Sequence, residues 1–169
     1  TTTQPPVTTA TGAPCGVIGS IADTYEVGRL PLALTFDGTH IWVSRIATTG
    51  SGGAGRDPDV VSKIRANDGS IVGTYEVGAH PDYMLFDGTH IWTANSLGSE
   101  YIPSGSLSQL NASDGSLVGE YRGPRLPGYA EGIWTYPGPE GLAFDGTHIW
   151  TAHPNNDAVS KYLDGSVVE

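Results

Sequence analysis

The sequence predicts an all-β protein built from a repeated unit of four short strands. Two motifs carry this prediction: FDGTHIW occurs at 36–42, 86–92 and 144–150, and DGS follows at 68–70, 114–116 and 164–166. The FDGTHIW motifs start 50 and then 58 residues apart, a period typical of proteins assembled from successive supersecondary units. The sequence shows no sustained 3.6-residue hydrophobic periodicity, which argues against helices.

The first unit shows how each strand is bounded. Its first strand runs from Pro31 to Phe36 and meets Asp-Gly, the dipeptide that best supplies the positive φ angles of a tight hairpin turn. The second strand follows at once, over His40–Ser44. The third is an alternating run that ends near Arg65, and a second Asp-Gly turn leads to the fourth strand over Ile71–Val77. β-branched and aromatic residues enrich these segments, as expected of strands.

The predicted strands do not begin with the first strand of a unit, because a strand of the fourth type comes first. A strand of the fourth type is predicted at Ile21–Val27, ahead of the first complete unit, because TYEVG occurs at both 24–28 and 74–78. Two complete units follow, and the fourth strand of the last unit falls at 166–169. Residues 19–169 therefore form the repeat domain. Residues 1–18 form a Thr/Pro-rich tail that cannot build a core of its own.

The order P-x-x-L-x-F-D-G-T-H-I-W, V-S-K-I and D-G-S-I-V-G-T-Y-E-V-G resembles the blade repeat of NHL/YncE-type bacterial β-propellers, including those similar to streptogramin lyases. The resemblance covers residues 19–169 and implies four-stranded propeller-type blades, three per chain. Closed propellers usually need about four to eight blades. We therefore expect an incomplete ring that self-association completes, as a closed dimer or as an open filament. A compact three-sheet prism closed within one chain is the alternative.

Charge and cysteine content exclude several classes of partner. The chain has 18 acidic and 8 basic side chains, a formal net charge of −10, which disfavours nucleic acids and anionic lipid. No stretch approaches the roughly 20 apolar residues of a membrane span. Cys15 is the single cysteine, so it can form a disulfide only with another chain. The partners expected are copies of the chain itself and, in a second interpretation, glycans.

The repeated polar residues predict structure and not catalysis. His40, His90 and His148 follow Asp-Gly-Thr in every unit, whereas a catalytic site needs asymmetry among acid, base and substrate contacts. The repeated aspartates are expected to be turn residues: Asp37, Asp87, Asp145, Asp68, Asp114 and Asp164. Trp42, Trp92 and Trp150 are expected to be buried between adjacent sheets. We expect no enzyme activity, no metal and no cofactor, because no motif for such chemistry is present.

Three insertions break the repeat and supply the candidate contact residues. They cover 46–59, 95–105 and 122–140 and are rich in Gly, Ser or Pro. Their aromatic residues are candidates to stack on a sugar ring or to anchor a subunit contact: Tyr101, Tyr129, Trp134 and Tyr136.

An extracellular or cell-surface location is expected from the tail and from candidate glycosylation sites. The sequence starts at Thr1 without an initiator Met, which we interpret as a processed, exported chain. The threonines of the tail are candidate O-glycosylation sites: Thr1, Thr2, Thr3, Thr8, Thr9 and Thr11. Asn111-Ala-Ser113 is an N-glycosylation acceptor pattern.

The function predicted from these observations is that of a secreted, non-catalytic structural subunit. It self-assembles through open blade edges and terminal strands into an extracellular filament or surface assembly, with the N-terminal strand able to extend a sheet of the next subunit. Two alternatives stay open. One is a carbohydrate-binding, lectin-like propeller module that uses Trp134 and Tyr136. The other is a fragment of a streptogramin-lyase-like enzyme, which rests on the resemblance alone.

Overall fold

A computed structural model describes residues 21–47, 58–97, 105–124, 138–163 and 166–167. In these residues the chain forms strands β1 (Pro31–Phe36), β2 (His40–Arg45), β3 (Val60–Arg65), β4 (Ile71–Glu76), β5 (Pro81–Phe86), β6 (His90–Asn95), β7 (Ser106–Asn111), β8 (Leu117–Arg122), β9 (Gly141–Phe144), β10 (Ile149–His153), β11 (Ala158–Leu163) and β12 (Ser166–Val167). A single-turn 3-10 helix, Pro154–Asn156, links β10 to β11. The described residues contain no helix with the length and apolar character of a membrane span.

The strands form three antiparallel four-stranded sheets in which neighbours in sequence are neighbours in space. We call them blade 1 (β1–β4), blade 2 (β5–β8) and blade 3 (β9–β12). The predicted all-β fold of three propeller-like blades is confirmed. The turn between the first two strands of each blade places its glycine at a φ of 95° to 101°, a region that favours glycine, as the Asp-Gly dipeptides predict.

The predicted strand at Ile21–Val27 is wrong, because these residues form no regular secondary structure. A fourth strand needs a third strand to hydrogen-bond with, and none of the described strands pairs with this segment. The segment instead lies against blade 1. The ring of Tyr25 covers Gly69 so closely that a Cβ atom on Gly69 would meet it at 2.0 Å.

The hydrophobic core lies between the blades. The cluster between blades 1 and 2 is centred on Trp42, Val61, Ile91 and Leu110. The cluster between blades 2 and 3 is centred on Trp92, Ala94, Leu107, Ile149 and Tyr162. Among the described residues no equivalent cluster joins blade 3 to blade 1, an arrangement that favours propeller-like blades over the three-sheet prism.

The third tryptophan departs from its predicted burial. Trp42 and Trp92 are 0% and 5% exposed, as expected of core residues. Trp150 is only partly buried, because its face of blade 3 has no neighbouring blade among the described residues. The burial of this position therefore depends on the next blade and not on the local sequence.

Candidate functional site

Each Asp-Gly-Thr-His turn is tied to the tryptophan two residues further on by one carboxylate. In blade 1, Asp37 Oδ1 accepts hydrogen bonds from the backbone N–H groups of Thr39 (2.8 Å) and His40 (2.6 Å). Its Oδ2 accepts from Trp42 Nε1 at 2.8 Å. Asp87 and Asp145 repeat all three bonds. The aspartates thus act as turn residues, as predicted, and also orient the tryptophans.

These carboxylates are held ionised. Burial raises the pKa of Asp87, but hydrogen bonds from the Trp92 indole and from the backbone of His90 and Thr89 outweigh it, and the pKa lies below its ordinary value. The Trp150 indole and the backbone of His148 likewise hold the pKa of Asp145 low. A carboxylate with both oxygens occupied by donors is an acceptor in a turn and is poorly suited to act as a general acid.

The histidines of these turns lie beside the same carboxylates. His90 Nδ1 is 3.3 Å from Asp87 Oδ2, and His148 Nδ1 is 3.3 Å from Asp145 Oδ2. Among the described residues, no group of three or more His, Cys, Asp or Glu side chains is arranged to hold a metal ion. The arrangement recurs in each blade, which points to a shared role in forming the hairpin.

Two similar clefts lie where adjacent blades meet. The cleft between blades 2 and 3 has a volume of about 460 Å³ and includes His90, Trp92 and Tyr162 in its lining. The cleft between blades 1 and 2 has a volume of about 420 Å³ and includes His40 and Lys63. Burial raises the pKa of Tyr162 to about 12, so its hydroxyl is neutral at physiological pH. Because both interfaces carry such a cleft, we assign it to the packing of the repeat.

The interface between blades 1 and 2 combines an aromatic pair with a buried lysine. The rings of Trp42 and Tyr75 lie 5.8 Å apart. Lys63 is 4% exposed, and its Nζ lies 5.0 Å from the centre of the Trp42 ring. The same Nζ donates to the carbonyl oxygens of Ala112 (2.7 Å) and Ser113 (3.0 Å) in blade 2. Lys63 therefore connects the two blades through a cation–π contact and two charge-assisted hydrogen bonds.

The interface between blades 2 and 3 repeats the aromatic pair. The rings of Trp92 and Tyr121 lie 5.7 Å apart. Gln109 takes the place of the lysine and accepts a hydrogen bond from the Tyr121 hydroxyl at 2.7 Å. A tyrosine from the fourth strand of one blade thus lies over the tryptophan from its second strand. Both rings face the next blade in the chain.

The face of blade 1 that points away from blade 2, the blade 1 outer face, exposes apolar side chains. Thr35 pairs with Trp42 and Leu34 with Val43, so Leu34 lies on the side of the sheet opposite Trp42. Leu34 and Phe36 are 66% and 53% exposed. The equivalent residues of blade 2, Met84 and Phe86, pack against the cluster shared with blade 1.

The face of blade 3 that points away from blade 2, the blade 3 outer face, is the counterpart. Ile149 and Tyr162 face blade 2, and the next residue pair, Trp150 and Lys161, therefore lies on the other side of the sheet. Val159 on this face is 68% exposed, whereas the equivalent residues Val61 and Leu107 are fully buried. Lys161 Nζ lies 5.6 Å from the centre of the Trp150 ring, as Lys63 does over Trp42.

At another position of the repeat, the exposed fraction of the side chain does not depend on a neighbouring blade. Ile71 of blade 1 and Leu117 of blade 2 occupy the same position in the repeat, and they are 50% and 55% exposed. This position is therefore exposed in blade 2, which packs against a blade on each side, and equally in blade 1, which packs against blade 2 alone among the described residues. Leu34 and Val159 differ, because their equivalents in the repeat are covered by a neighbouring blade.

Most of the contact and modification sites predicted from the sequence lie outside the described residues: Tyr101, Tyr129, Trp134, Tyr136, Cys15 and the tail threonines. Asn111 is described and ends β7. Its Oδ1 accepts from the backbone N–H (3.1 Å) and the hydroxyl (2.9 Å) of Ser113, and its glycosylation stays a prediction. Sequence reasoning missed Lys63, although the V-S-K run shared by β3 and β11 was a usable signal.

Comparisons with known proteins give a distant structural likeness. No protein-family model matches the chain, and no curated protein matches it. Among solved structures, the chain is similar to a crystal structure from Bacteroides fragilis described as a candidate 6-phosphogluconolactonase. The sequences are 16% identical, the TM-score is 0.46, and the match covers 79% of this chain but 36% of that one. The chain thus spans little more than a third of that protein's length, and no activity is carried over from it.

Proposed function

We propose that this protein is a non-catalytic structural subunit that associates head to tail with copies of itself. The blade 1 outer face of one copy packs against the blade 3 outer face of the next. One observation carries the proposal: each exposed face has, at equivalent positions of the repeat, the kinds of residue that are buried between the blades within the chain. Such a contact joins two different surfaces and is therefore heterologous.

The apolar part of the proposed contact follows from the internal interface between blades 1 and 2. There, Met84 and Phe86 lie against the cluster of Trp42 and Val61. In the contact between copies, Leu34 and Phe36 would meet Trp150 and Val159. Full burial of each such side chain contributes about 1.5–3 kcal/mol, a total that must exceed the loss of translational and rotational freedom on association.

The polar part of the proposed contact follows from Lys161, which occupies in blade 3 the position of Lys63 in blade 1. Ala66 and Asn67 of blade 1 occupy the positions that Ala112 and Ser113 occupy in blade 2. Lys161 of one copy would therefore donate to the carbonyl oxygens of Ala66 and Asn67 of the next copy, as Lys63 does within the chain. The copies carry a formal charge of −10 each, so salt should strengthen their association by screening the repulsion.

The contact can close on itself or propagate. Propellers have about four to eight blades, and six is the multiple of three in that range, so an undistorted repeat of the internal interface gives a six-bladed ring of two chains. A contact with an offset along the axis gives a filament. We propose an extracellular filament or surface assembly as the functional form. The Thr/Pro-rich tail and the Asn111 acceptor pattern support the proposal that the protein is exported.

We also assign the repeat to the NHL/YncE type of bacterial propeller blade. The support is the order of its motifs, P-x-x-L-x-F-D-G-T-H-I-W followed by V-S-K-I and by D-G-S-I-V-G-T-Y-E-V-G. We propose no catalytic step for the His–Asp–Trp turns, because their carboxylates are occupied in the hairpin.

Size-exclusion chromatography with light scattering, together with electron microscopy, tests the proposal. We expect particles heavier than the 17.7 kDa chain at micromolar concentration. Val159→Asp, on the blade 3 outer face, should shift the protein to monomer. The control, Leu117→Asp, places the same charge at a position that is exposed in blades 1 and 2 alike and should leave the particles unchanged. A wild-type protein that stays monomeric at these concentrations contradicts the proposal.

A further inference from the structure

We propose that the cleft between blades 2 and 3 binds a small organic ammonium ion, in the place that the Lys63 side chain takes between blades 1 and 2. The site lies within one chain, so it does not depend on the association of copies. The repeat accounts for the presence of a cleft at both interfaces. The side chains that line the two clefts differ, and the proposal rests on that difference.

A lysine ammonium already occupies the corresponding place between blades 1 and 2. Lys63 lies opposite Trp42 in the pairing of β2 with β3, and its Nζ is 5.0 Å from the centre of the tryptophan ring. The same Nζ donates to the carbonyl oxygens of Ala112 and Ser113 in blade 2. The chain itself therefore shows that this place between two blades accommodates an ammonium.

Blade 2 has a neutral side chain at the same position. Gln109 lies opposite Trp92 in the pairing of β6 with β7, so it takes the position of Lys63. Its Oε1 accepts a hydrogen bond from the Tyr121 hydroxyl at 2.7 Å, which holds the amide against its own blade. Among the described residues no hydrogen bond joins Gln109 to blade 3. The position that supplies an ammonium to the first cleft therefore supplies none to the second.

The turn that receives the lysine has no full counterpart in blade 3. In blade 2, Ala112 and Ser113 separate the end of β7 from the second Asp-Gly dipeptide. In blade 3, Leu163 ends β11 and is followed at once by Asp164-Gly165. The sequence of blade 3 thus omits the two residues whose carbonyl groups hold the lysine. A cation in this cleft must be held by the aromatic lining instead.

The lining of this cleft supplies aromatic rings, which attract a cation lying within about 6 Å of the ring centre. Four aromatic side chains contribute to it: Trp92, Tyr121, Phe144 and Tyr162. Among the described residues, the cleft between blades 1 and 2 is lined by one phenylalanine, Phe86, and by no tyrosine or tryptophan. Tyr162 is specific to blade 3, because Ile64 and Leu110 occupy its position in the other two blades.

A carboxylate and an accessible opening complete the site. Asp87 lines the cleft, and its Oδ2 accepts a hydrogen bond from Trp92 Nε1 at 2.7 Å, so a negative charge lies beside the ring. The formal net charge of −10 also favours a cation. Phe144 and Val118 are 37% and 52% exposed, so solvent reaches the lining. The volume of about 460 Å³ lies in the range of about 300–1,000 Å³ that is typical of small-molecule sites.

An NMR titration of the dilute full chain with n-butylammonium chloride tests the proposal, with sodium chloride at the same concentration as the reference. We expect the indole N–H signal of Trp92 to shift saturably at millimolar probe concentrations, because the ammonium comes to lie on its ring. The Trp42 signal should stay in place, because Lys63 already lies on that ring. The neutral probe n-butanol, of similar size, should bind about tenfold more weakly.

A substitution that fills the cleft provides the second test. Gln109→Lys should remove the shift of the Trp92 signal, because the introduced ammonium would lie on that ring as Lys63 lies on its own. The control, Ile71→Lys, adds the same charge at an exposed position of blade 1 and should leave the shift as in the wild type.

Three results would overturn the proposal. They are the absence of a saturable Trp92 shift in the wild type, equally tight binding of n-butanol, and a folded Gln109→Lys variant that binds n-butylammonium like the wild type. The first two are measured on the unmodified chain and do not require the variant to fold. A chain that stays monomeric overturns the proposed function but leaves this site standing.

Discussion

The two lysines of the third strands provide the sharpest prediction, because they occupy one position of the repeat in two different settings. Lys63→Met keeps a side chain of similar length on Trp42 but removes the ammonium that donates to Ala112 and Ser113 at 2.7 and 3.0 Å. Hydrogen bonds from a charged donor contribute about 1.5–3 kcal/mol each, and the relief of ammonium desolvation offsets part of their loss. We expect the free energy of unfolding to fall by about 2 kcal/mol.

Lys161→Met is the matched change in blade 3. Lys161 also lies over a tryptophan ring, at 5.6 Å, but among the described residues no carbonyl oxygen accepts a hydrogen bond from it. The variant should therefore unfold like the wild type when dilute, while its association weakens by about 2 kcal/mol, or roughly 30-fold in Kd. Urea unfolding at low concentration and sedimentation across a concentration series measure the two effects. The reasoning is refuted if Lys161→Met destabilises the dilute chain as much as Lys63→Met does and leaves the association unchanged.

Two further predictions concern the turns. The pKa of Asp87 is lower in the folded chain than its ordinary value, so the ionised carboxylate stabilises the fold above about pH 4, and this stabilisation is lost as the pH falls through the folded pKa. The free energy of unfolding, measured in urea between pH 7 and pH 3, should therefore decline less steeply in Asp87→Asn than in the wild type. Equal slopes would contradict this. Gly115→Ala should lower the free energy of unfolding by about 1–3 kcal/mol more than Gly88→Ala, as measured by thermal or urea unfolding. Both glycines have a positive φ (79° and 101°), but only at Gly115 would the added Cβ meet the Tyr75 ring, at 2.0 Å. Equal losses would show that the ring can move aside.

The sequence was sufficient to predict what local chemistry decides. The strands around each Asp-Gly dipeptide, such as Pro31–Phe36, follow from period-two alternation and from the backbone preference of glycine. The aspartates of these turns were recognised as structural for the same reason. Their bond to a tryptophan indole was not predicted, since it depends on how the side chains meet across the hairpin.

What the sequence did not predict depends on a neighbouring blade. TYEVG occurs twice, yet residues 74–76 belong to β4 and residues 24–27 to no strand, because only the former lie beside a third strand. Trp42 and Trp150 stand in identical motifs, yet only Trp42 is fully buried. In both cases the local sequence is the same and the surroundings differ.

An electron cryomicroscopy structure of the assembled protein tests the central claim most directly. The account predicts that blade 3 of one copy stacks on blade 1 of the next, with Trp150 buried against Leu34 and Phe36 as Trp42 is buried within the chain. Particles that join through other surfaces and leave Val159 and Phe36 in solvent would contradict it.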